Sequence, residues 1–214
     1  MTTKIAVIGM GYVGIPAAAL LADVDGFDVT GIQRRSKRSG WKIEVLNSGR
    51  SPFEGDEPGL DDLIARVVEK GSFRVTDDYS IIGEMDIVLF DVQTPTDGPD
   101  HQPRYESLKA VAAQTGKYLK KGALVITEST VAPGTTEHIV KPVLEEESGL
   151  TAGQDFSLAY SYERVMPGRL IEYIVNLPRI VGGIDKKSEE RAVAMYEKIV
   201  RKKIYSTDVL TAET

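Results

Sequence analysis

The 214-residue sequence predicts an α/β fold in which helices cover both faces of a doubly wound, mostly parallel sheet. Two observations carry this prediction. Short runs rich in β-branched residues alternate with stretches of helical periodicity along the whole chain, which is typical of a parallel sheet wrapped by crossover helices. In addition, the first apolar run, residues 4–8, leads at once into a glycine-rich turn, residues 9–14, that opens the first helical stretch.

The same patterns place the individual elements along the chain. The predicted strands are residues 4–8, 27–32, 73–76, 86–90, 123–127, 156–160, 179–181 and 203–205. The predicted helices follow the glycine turn to about residue 23 and then cover residues 39–47, 60–69, 105–119, 135–147 and 188–200. Pro142 is expected to kink or interrupt the helix in which it lies, because proline removes a backbone donor and clashes with the preceding turn.

The domain organisation follows from the absence of any internal linker, repeat or low-complexity segment in the sequence. Residues 1–207 are predicted to form one dinucleotide-binding domain. Residues 208–214 contain an aspartate followed by helix-compatible residues, so they are predicted to begin a connecting helix. We therefore expect the sequence to be truncated, with a second domain absent from this chain.

Composition narrows the classes of function. A net charge of −6 disfavours nucleic acid or an anionic membrane as the main partner. No apolar run approaches the ~18 residues that a membrane span needs, and the N-terminus does not resemble an export signal, so a cytoplasmic location is expected. The chain has no cysteine, which excludes disulfides and thiolate chemistry within it. Its two histidines, His101 and His138, are too few and too far apart to predict a metal site.

The glycine turn fits the pattern G-x-G-x-x-G, with Gly9, Gly11 and Gly14 at the three positions. In dinucleotide-binding proteins the first glycine makes a tight turn, the second lets a pyrophosphate approach the backbone, and the third allows close helix–strand packing. The helix N-terminus then supplies oriented N–H groups for the negative charge. Because the motif lies between a predicted strand and a predicted helix, it predicts a Rossmann-type site for NAD.

The end of the second strand decides between NAD and NADP. The acid that binds the adenosine ribose of NAD is expected there, but Gln33 occupies the position. Glutamine can bind a 2′-hydroxyl, yet it lacks the charge that repels a 2′-phosphate. Arg34, Arg35 and Arg38 follow, and guanidinium groups suit a phosphate. NAD is therefore the expected cofactor, and NADP remains an alternative.

Five segments carry a family resemblance. They are the glycine turn at 9–14, E-P-G-L at 57–60, V-Q-T-P at 92–95, E-S-T-V-A-P-G-T-T at 128–136 and Y-E-R-V-M-P-G-R at 162–169. Together they resemble the UDP-glucose/GDP-mannose dehydrogenase family, and within it the UDP-N-acetylmannosamine dehydrogenase-like branch. The resemblance covers essentially the whole chain, and the last two segments are more specific than the glycine turn.

The resemblance implies an enzyme that oxidises the C6 alcohol of a UDP-sugar to a carboxylate in two hydride transfers, with NAD as the acceptor. It also implies a set of cofactor-binding positions in this chain. These are Gly9, Gly11, Tyr12, Val13 and Gly14 in the glycine turn, Gln33, Arg34 and Arg38 beside the adenosine ribose, and Thr94, Pro95 and Thr130 at the ends of later strands.

Catalytic and substrate-binding roles are implied in the same way. Thr130 resembles the threonine that helps to hold a catalytic water, and Glu163 resembles the glutamate that exchanges protons during hydrolysis of the covalent intermediate. Arg164 marks the N-acetylmannosamine-like branch and is expected to contact substrate, as is Glu163. From the residues alone, two simpler interpretations stay open. Thr130 could cap the helix after Pro133, and Glu163 could be a surface residue paired with Arg164 or Arg169.

Departures from the family pattern weaken UDP-glucose as the substrate. Pro167 stands where the glucose-oxidising branch has a second glutamate, Tyr162 stands where a proline is usual, and Ala132 replaces the first of two prolines. In the family the nucleophilic cysteine lies in a second domain, so this chain alone is expected to be inactive. Family members are typically homodimers, whereas the fragment is expected to be monomeric. A standalone regulatory module that binds NAD(P)(H) without catalysis is the alternative function.

Overall fold

The computed structural model describes residues 2–96, 99 and 102–214. In these residues eight strands form one sheet in the order β3-β2-β1-β4-β5-β6-β7-β8. Neighbouring strands are parallel except β6 and β7. The strands are β1 (Thr3–Ile8), β2 (Phe27–Ile32), β3 (Phe73–Thr76), β4 (Ile87–Phe90), β5 (Leu124–Thr127), β6 (Ser157–Tyr160), β7 (Arg179–Gly183) and β8 (Ile204–Asp208).

Helices lie on both faces of this sheet, which confirms the predicted fold class. They are α1 (Gly14–Asp23), α2 (Lys42–Asn47), α3 (Leu60–Glu69), α4 (Glu106–Gly116), α5 (Lys141–Ser148), α6 (Leu170–Asn176), α7 (Lys186–Tyr196) and α8 (Val209–Ala212). One hydrophobic core lies under α1, α3 and α7, and the other lies under α4 and α5. The central strands β4 and β5 are buried throughout, as expected for a parallel sheet that is covered on both faces.

The strand order reverses at β1, which is flanked by β2 on one side and β4 on the other. The chain therefore crosses from β1 toward one edge of the sheet and from β4 toward the opposite edge. The two connections diverge, and a crevice opens between them at the carboxyl end of β1. In open α/β sheets ligands bind in such a crevice. The glycine turn, which follows Ile8, lies at its mouth.

Three helical segments differ from the predictions, apart from small shifts at the ends of other elements. A 3₁₀ helix at Tyr79–Glu84 was not predicted. The predicted helix at 135–147 is present as a π-helical turn, Thr136–Val140, that runs directly into α5, so the hydrogen-bonding pattern changes just before Pro142 without a break in the helix. Pro142 lies in the first turn of α5, where a missing N–H costs little. The helix α6 was not predicted from the sequence pattern. Glu57 caps this helix from a distant part of the chain, because its carboxylate accepts hydrogen bonds from the backbone N–H groups of Gly168 (2.6 Å) and Leu170 (3.3 Å).

The segment after β8 packs against the rest of the domain. Asp208 caps α8 by accepting a hydrogen bond from the N–H of Thr211 (2.8 Å), and Val209 and Ala212 are buried. The buried carboxylate of Glu213 accepts hydrogen bonds from the N–H groups of Gly134 (2.6 Å) and Thr136 (2.8 Å). A helix does begin where the sequence predicted it, and its role as the start of a connecting helix remains a prediction.

Candidate functional site

The glycine turn is shaped by two very close backbone approaches. Gly9 has φ +111°, and a Cβ at this residue would lie 2.3 Å from the carbonyl oxygen of Asp91. A Cβ at Gly14, the first residue of α1, would lie 2.0 Å from the carbonyl oxygen of Gly9. By contrast, a Cβ at Gly11 would meet nothing within 4 Å. Gly9 and Gly14 are therefore required by packing, whereas the open space at Gly11 leaves room for a ligand to reach the backbone.

A cavity of about 630 Å³ opens beside this turn at the carboxyl end of β1. Its volume lies within the range of small-molecule and cofactor sites. Its walls come from the glycine turn, the end of β2, the residues after β4 and one face of α4. The predicted cofactor residues Gly9, Gly11, Gln33, Arg34 and Arg38 all line it.

Gln33 follows β2 and holds the glycine turn from the side. Its Oε1 accepts a hydrogen bond from the N–H of Met10 (3.2 Å), and its Nε2 donates to Ser39 Oγ (3.0 Å). Lys42, which the sequence analysis did not single out, donates from Nζ to the carbonyl of Met10 (2.8 Å) and also lines the cavity. Burial lowers the pKa of Lys42, and the nearby charge of Arg38 adds to this effect.

The three arginines after Gln33 are not equivalent. Arg34 and Arg38 line the cavity. Arg35 is instead bound by Glu44 (2.9 Å) and Asp77 (3.0 Å) on the outer surface. Two of the three predicted guanidinium groups are therefore placed to meet a ligand in the cavity.

The remaining predicted cofactor positions lie next to the cavity rather than in its walls. Thr94 donates from Oγ1 to the carbonyl of Thr130 (2.6 Å), which joins the segments after β4 and β5. The Tyr12 ring is stacked on Phe53 at a centroid distance of 4.5 Å, and half of its surface is exposed. Val13 precedes the first residue of α1, and the carbonyl of Pro95 accepts a hydrogen bond from the N–H of Arg104 (2.8 Å).

The simpler interpretation of Thr130 as a helix cap is wrong, because the helical segment after Pro133 begins only at Thr136. Thr130 is exposed at the carboxyl end of β5. His138 lies on the π-helical turn and is exposed, whereas His101 lies outside the described residues.

Glu163 does not lie on the surface, and the simpler interpretation that it pairs with the side chain of Arg164 or Arg169 is wrong. Its carboxylate pairs with Arg179 of β7, and only 6% of its side chain is exposed. The backbone N–H of Arg164 donates to Glu163 Oε1 (2.8 Å), but the Arg164 guanidinium binds the carbonyl of Pro178. The guanidinium of Arg164 also lies 5.6 Å from the ring centroid of Tyr162.

Arg179 is the centre of a buried polar cluster that joins the ends of β5 and β6. Besides Glu163 it pairs with Glu128, donates from Nε to Ser161 Oγ (2.7 Å) and lies over the ring of Tyr196 at 3.8 Å. Tyr196 donates from its hydroxyl to Glu128 Oε1 (2.7 Å). Arg179 could not be identified from the sequence, because the local pattern of a short strand does not show which distant carboxylates its arginine will contact.

Comparison with known proteins identifies the group to which this arrangement belongs. Residues 3–200 match the model of the NAD binding domain of the UDP-glucose/GDP-mannose dehydrogenase family. The chain belongs to this family.

Individual members of the dehydrogenase family are similar over nearly the whole chain. The UDP-N-acetyl-D-mannosamine dehydrogenases of Pyrococcus horikoshii and Campylobacter jejuni are 37% and 35% identical over 98% of the chain, which covers 48% and 51% of those proteins. The crystal structure of NDP-N-acetyl-D-galactosaminuronic acid dehydrogenase from Methanosarcina mazei Go1 is 50% identical with a TM-score of 0.95, and the match covers 99% of this chain and 45% of that one. The chain therefore spans about half the length of the curated relatives that it matches.

Within the part of the chain that the structure describes, no helix combines the length and the apolar character that crossing a bilayer requires.

We expect that removing the guanidinium of Arg179 from the buried cluster strongly lowers the stability of the protein. Arg179→Met is expected to lower the free energy of unfolding by about 3 kcal/mol, because it leaves two buried carboxylates without their partner. The matched control is Arg169→Met, which removes an exposed ion pair with Glu172 and is expected to cost about 0.5 kcal/mol or less. Urea denaturation measures both values, and equal losses in the two variants would contradict the assignment of Arg179 as the centre of the cluster.

Proposed function

We propose that the cavity beside β1 binds NAD with its diphosphate against the glycine turn. The observation that carries this proposal is the open space at Gly11, next to the N-terminus of α1, between two glycines whose close contacts fix the shape of the turn. Backbone N–H groups at such a helix terminus attract an anionic diphosphate. The membership of the chain in the dehydrogenase family supports NAD as the dinucleotide.

The residues around the cavity give each part of the cofactor a partner. We assign Gln33 and Arg38, which line the cavity, to the adenosine ribose, and Tyr12 and Val13 to the diphosphate side of the turn. Thr94 and Thr130, which are joined by a hydrogen bond, lie at the ends of β4 and β5. The nicotinamide half is proposed to extend toward this second region, where the ends of the central strands meet.

We further propose that the chain supplies this cofactor site to a sugar-nucleotide 6-dehydrogenase, which oxidises a C6 alcohol to a carboxylate. Bound NAD supplies the hydride acceptor for each of the two oxidation steps. Thr130 holds the water that is used in hydrolysis, Glu163 exchanges a proton with it, and Arg164 contacts the substrate. These roles require a hydroxyl that can hold a water and a nearby carboxylate, and Thr130 after β5 and Glu163 after β6 are the groups that we assign to them.

The sugar is proposed to be an N-acetylhexosamine carried on UDP. The names of the similar proteins support this choice, because they specify N-acetylmannosamine and N-acetylgalactosaminuronic acid. The N-acetylmannosamine compound is the first substrate to test, and its galactose-configured counterpart is the second. A regulatory module without catalysis gains no support from these relatives. A homodimer of the longer protein remains a prediction.

The glycine turn yields a direct binding test. Gly11→Ala is expected to preserve stability, since the new methyl group meets no protein atom, but to weaken NADH binding by at least about tenfold because the methyl group blocks the diphosphate. Fluorescence titration with NADH and thermal unfolding measure the two effects. Gly83→Ala is the control, because its methyl group makes only an ordinary contact, 3.6 Å from the carbonyl oxygen of Tyr118. Unchanged NADH affinity in Gly11→Ala would place the diphosphate elsewhere.

NADP is a second candidate cofactor. Gln33, rather than a carboxylate, directly follows β2, and Arg34 and Arg38 line the cavity, where guanidinium groups suit a 2′-phosphate. The double variant Arg34→Met/Arg38→Met is expected to lower NADPH affinity about tenfold more than NADH affinity, by removing charge-assisted contacts to the phosphate. Calorimetric titration of both cofactors measures this ratio. Arg35→Met is the matched control, since its guanidinium is already bound by Glu44 and Asp77. Equal losses for the two cofactors would exclude a specific phosphate contact.

The proposed activity is tested with a protein that contains this chain together with the remainder found in its relatives. UDP-N-acetylmannosamine is expected to yield two NADH per uronate. Glu163→Gln is expected to lower kcat about a hundredfold while the KM for NAD changes little, because Glu163 acts in proton transfer rather than in cofactor binding. Glu172→Gln, on the exposed face of α6, is the control. Retention of kcat within about threefold in Glu163→Gln would remove Glu163 from the mechanism.

A further inference from the structure

A buried carboxyl group lies directly beneath the glycine turn. Asp91 follows β4, its N–H donates to the carbonyl of Ile8 (2.8 Å), and its own carbonyl is the atom that excludes a side chain at Gly9. The Cβ of Asp91 lies 3.2 Å from the position that a Cβ on Gly14 would take. The Asp91 side chain is therefore packed against the first residue of α1, at the edge of the cofactor cavity that Asp91 also lines.

The hydrogen bonding of this carboxyl group is incomplete unless a proton is added. Both carboxylate oxygens of Asp91 and Oε2 of Glu128 are buried, and none of them has a donor among the described residues. The two carboxyl groups nevertheless lie within hydrogen-bonding reach of each other. Two carboxylates repel at such a separation, whereas an acid and a carboxylate form a hydrogen bond. One proton between them therefore satisfies the geometry.

The charges around the pair give the same result. Asp91, Glu128 and Glu163 lie around the single guanidinium of Arg179, so full ionisation would bury three negative charges against one positive charge. Burial, together with the charge of Glu128, raises the pKa of Asp91 well above its ordinary value. Burial also raises the pKa of Glu128, although Arg179 opposes this effect.

We propose that Asp91 and Glu128 share one proton at neutral pH, forming a buried proton-binding site beneath the glycine turn, and that loss of this proton weakens dinucleotide binding. The second part rests on the proposed NAD site. An ionised Asp91 places a negative charge beside the N-terminus of α1, which is the terminus that receives the diphosphate. The proton and the dinucleotide therefore favour each other.

Other charged groups face the pair and also act on binding. Within the described residues these groups are Glu163 after β6, Arg179 in β7 and Tyr196 in α7. Burial raises the pKa of Tyr196 well above its ordinary value, so its hydroxyl stays protonated across the range tested. The cationic groups on the cavity side are Lys42, Arg34 and Arg38. Because Lys42 also loses its charge at high pH, the test compares variants rather than the wild type alone.

The first experiment observes the proton in the unliganded chain. Carbon-13 NMR of side-chain carboxyl groups, with Asp91 assigned through its backbone and checked with Asp91→Asn, reports ionisation as a change in chemical shift. Asp91 is expected to be protonated at pH 7 and to titrate well above the ordinary range of an aspartate. Ionisation of both Asp91 and Glu128 at pH 7 in the same spectra would overturn the proposal. This measurement needs no bound cofactor, and the backbone assignment of Asp91 stands even if Asp91→Asn does not fold, so its outcome is independent of the proposed function.

The second experiment measures the linkage by titrating NADH into the wild type and Asp91→Asn from about pH 6 to about pH 9. The asparagine amide is isosteric with the neutral acid and can donate to Glu128. The wild type is expected to lose affinity relative to Asp91→Asn as pH rises, on the order of tenfold. The same fall in both proteins would overturn the linkage. If neither protein bound NADH at any pH, the proposed NAD site would fail, while the first experiment would still decide the shared proton.

Stability provides a third measurement with a defined sign. Because the pKa of Asp91 is raised in the folded state, the folded protein retains a proton that the unfolded chain releases above about pH 4. Wild-type stability is therefore lost as pH rises from there through the folded-state pKa, and Asp91→Asn does not share this loss. The Tm of Asp91→Asn minus that of the wild type is expected to increase with pH. A difference that stays constant would contradict the shared proton.

Discussion

The close approach of three backbone segments at the end of β1 is the constraint on which the site depends. The carbonyl of Asp91 lies against Gly9, and the carbonyl of Gly9 lies against Gly14. Any side chain at either glycine would separate β1, β4 and α1 at their meeting point. The constraint also explains the cavity, because the packing that fixes the turn leaves Gly11 unobstructed and directs the N-terminus of α1 into the crevice.

The parts of the structure that follow from local pattern could be predicted from the sequence. Phe27–Ile32, Leu60–Glu69 and Phe73–Thr76 were predicted with the boundaries that the structure has, because apolar periodicity and flanking glycines define them. The position of Gln33 at the cavity followed from its distance after the glycine turn. By contrast, α6 depends on a cap from Glu57, and no local signal in residues 170–176 reveals that distant carboxylate.

The site shows the same limit more strongly. Glu163 was recognised through its motif, but its partner lies in another strand, and Arg179 looked like an ordinary residue of a short β segment. Asp91 likewise looked like the continuation of a strand. A buried charge is defined by which groups surround it, and those groups come from four different elements of the sheet and its helices. A sequence pattern predicts local elements and motifs. Which charged groups of distant segments lie next to each other is known only from the folded structure.

Glu213 connects the last helix to the loop that carries Thr130. Its carboxylate binds two backbone N–H groups, of Gly134 and Thr136, in a buried setting where water cannot replace it. The loop that carries Thr130 ends at these same residues. A displacement of α8 would therefore either break two charge-assisted hydrogen bonds or displace the loop that carries Thr130. The position of the helix is thus coupled to the position of the loop.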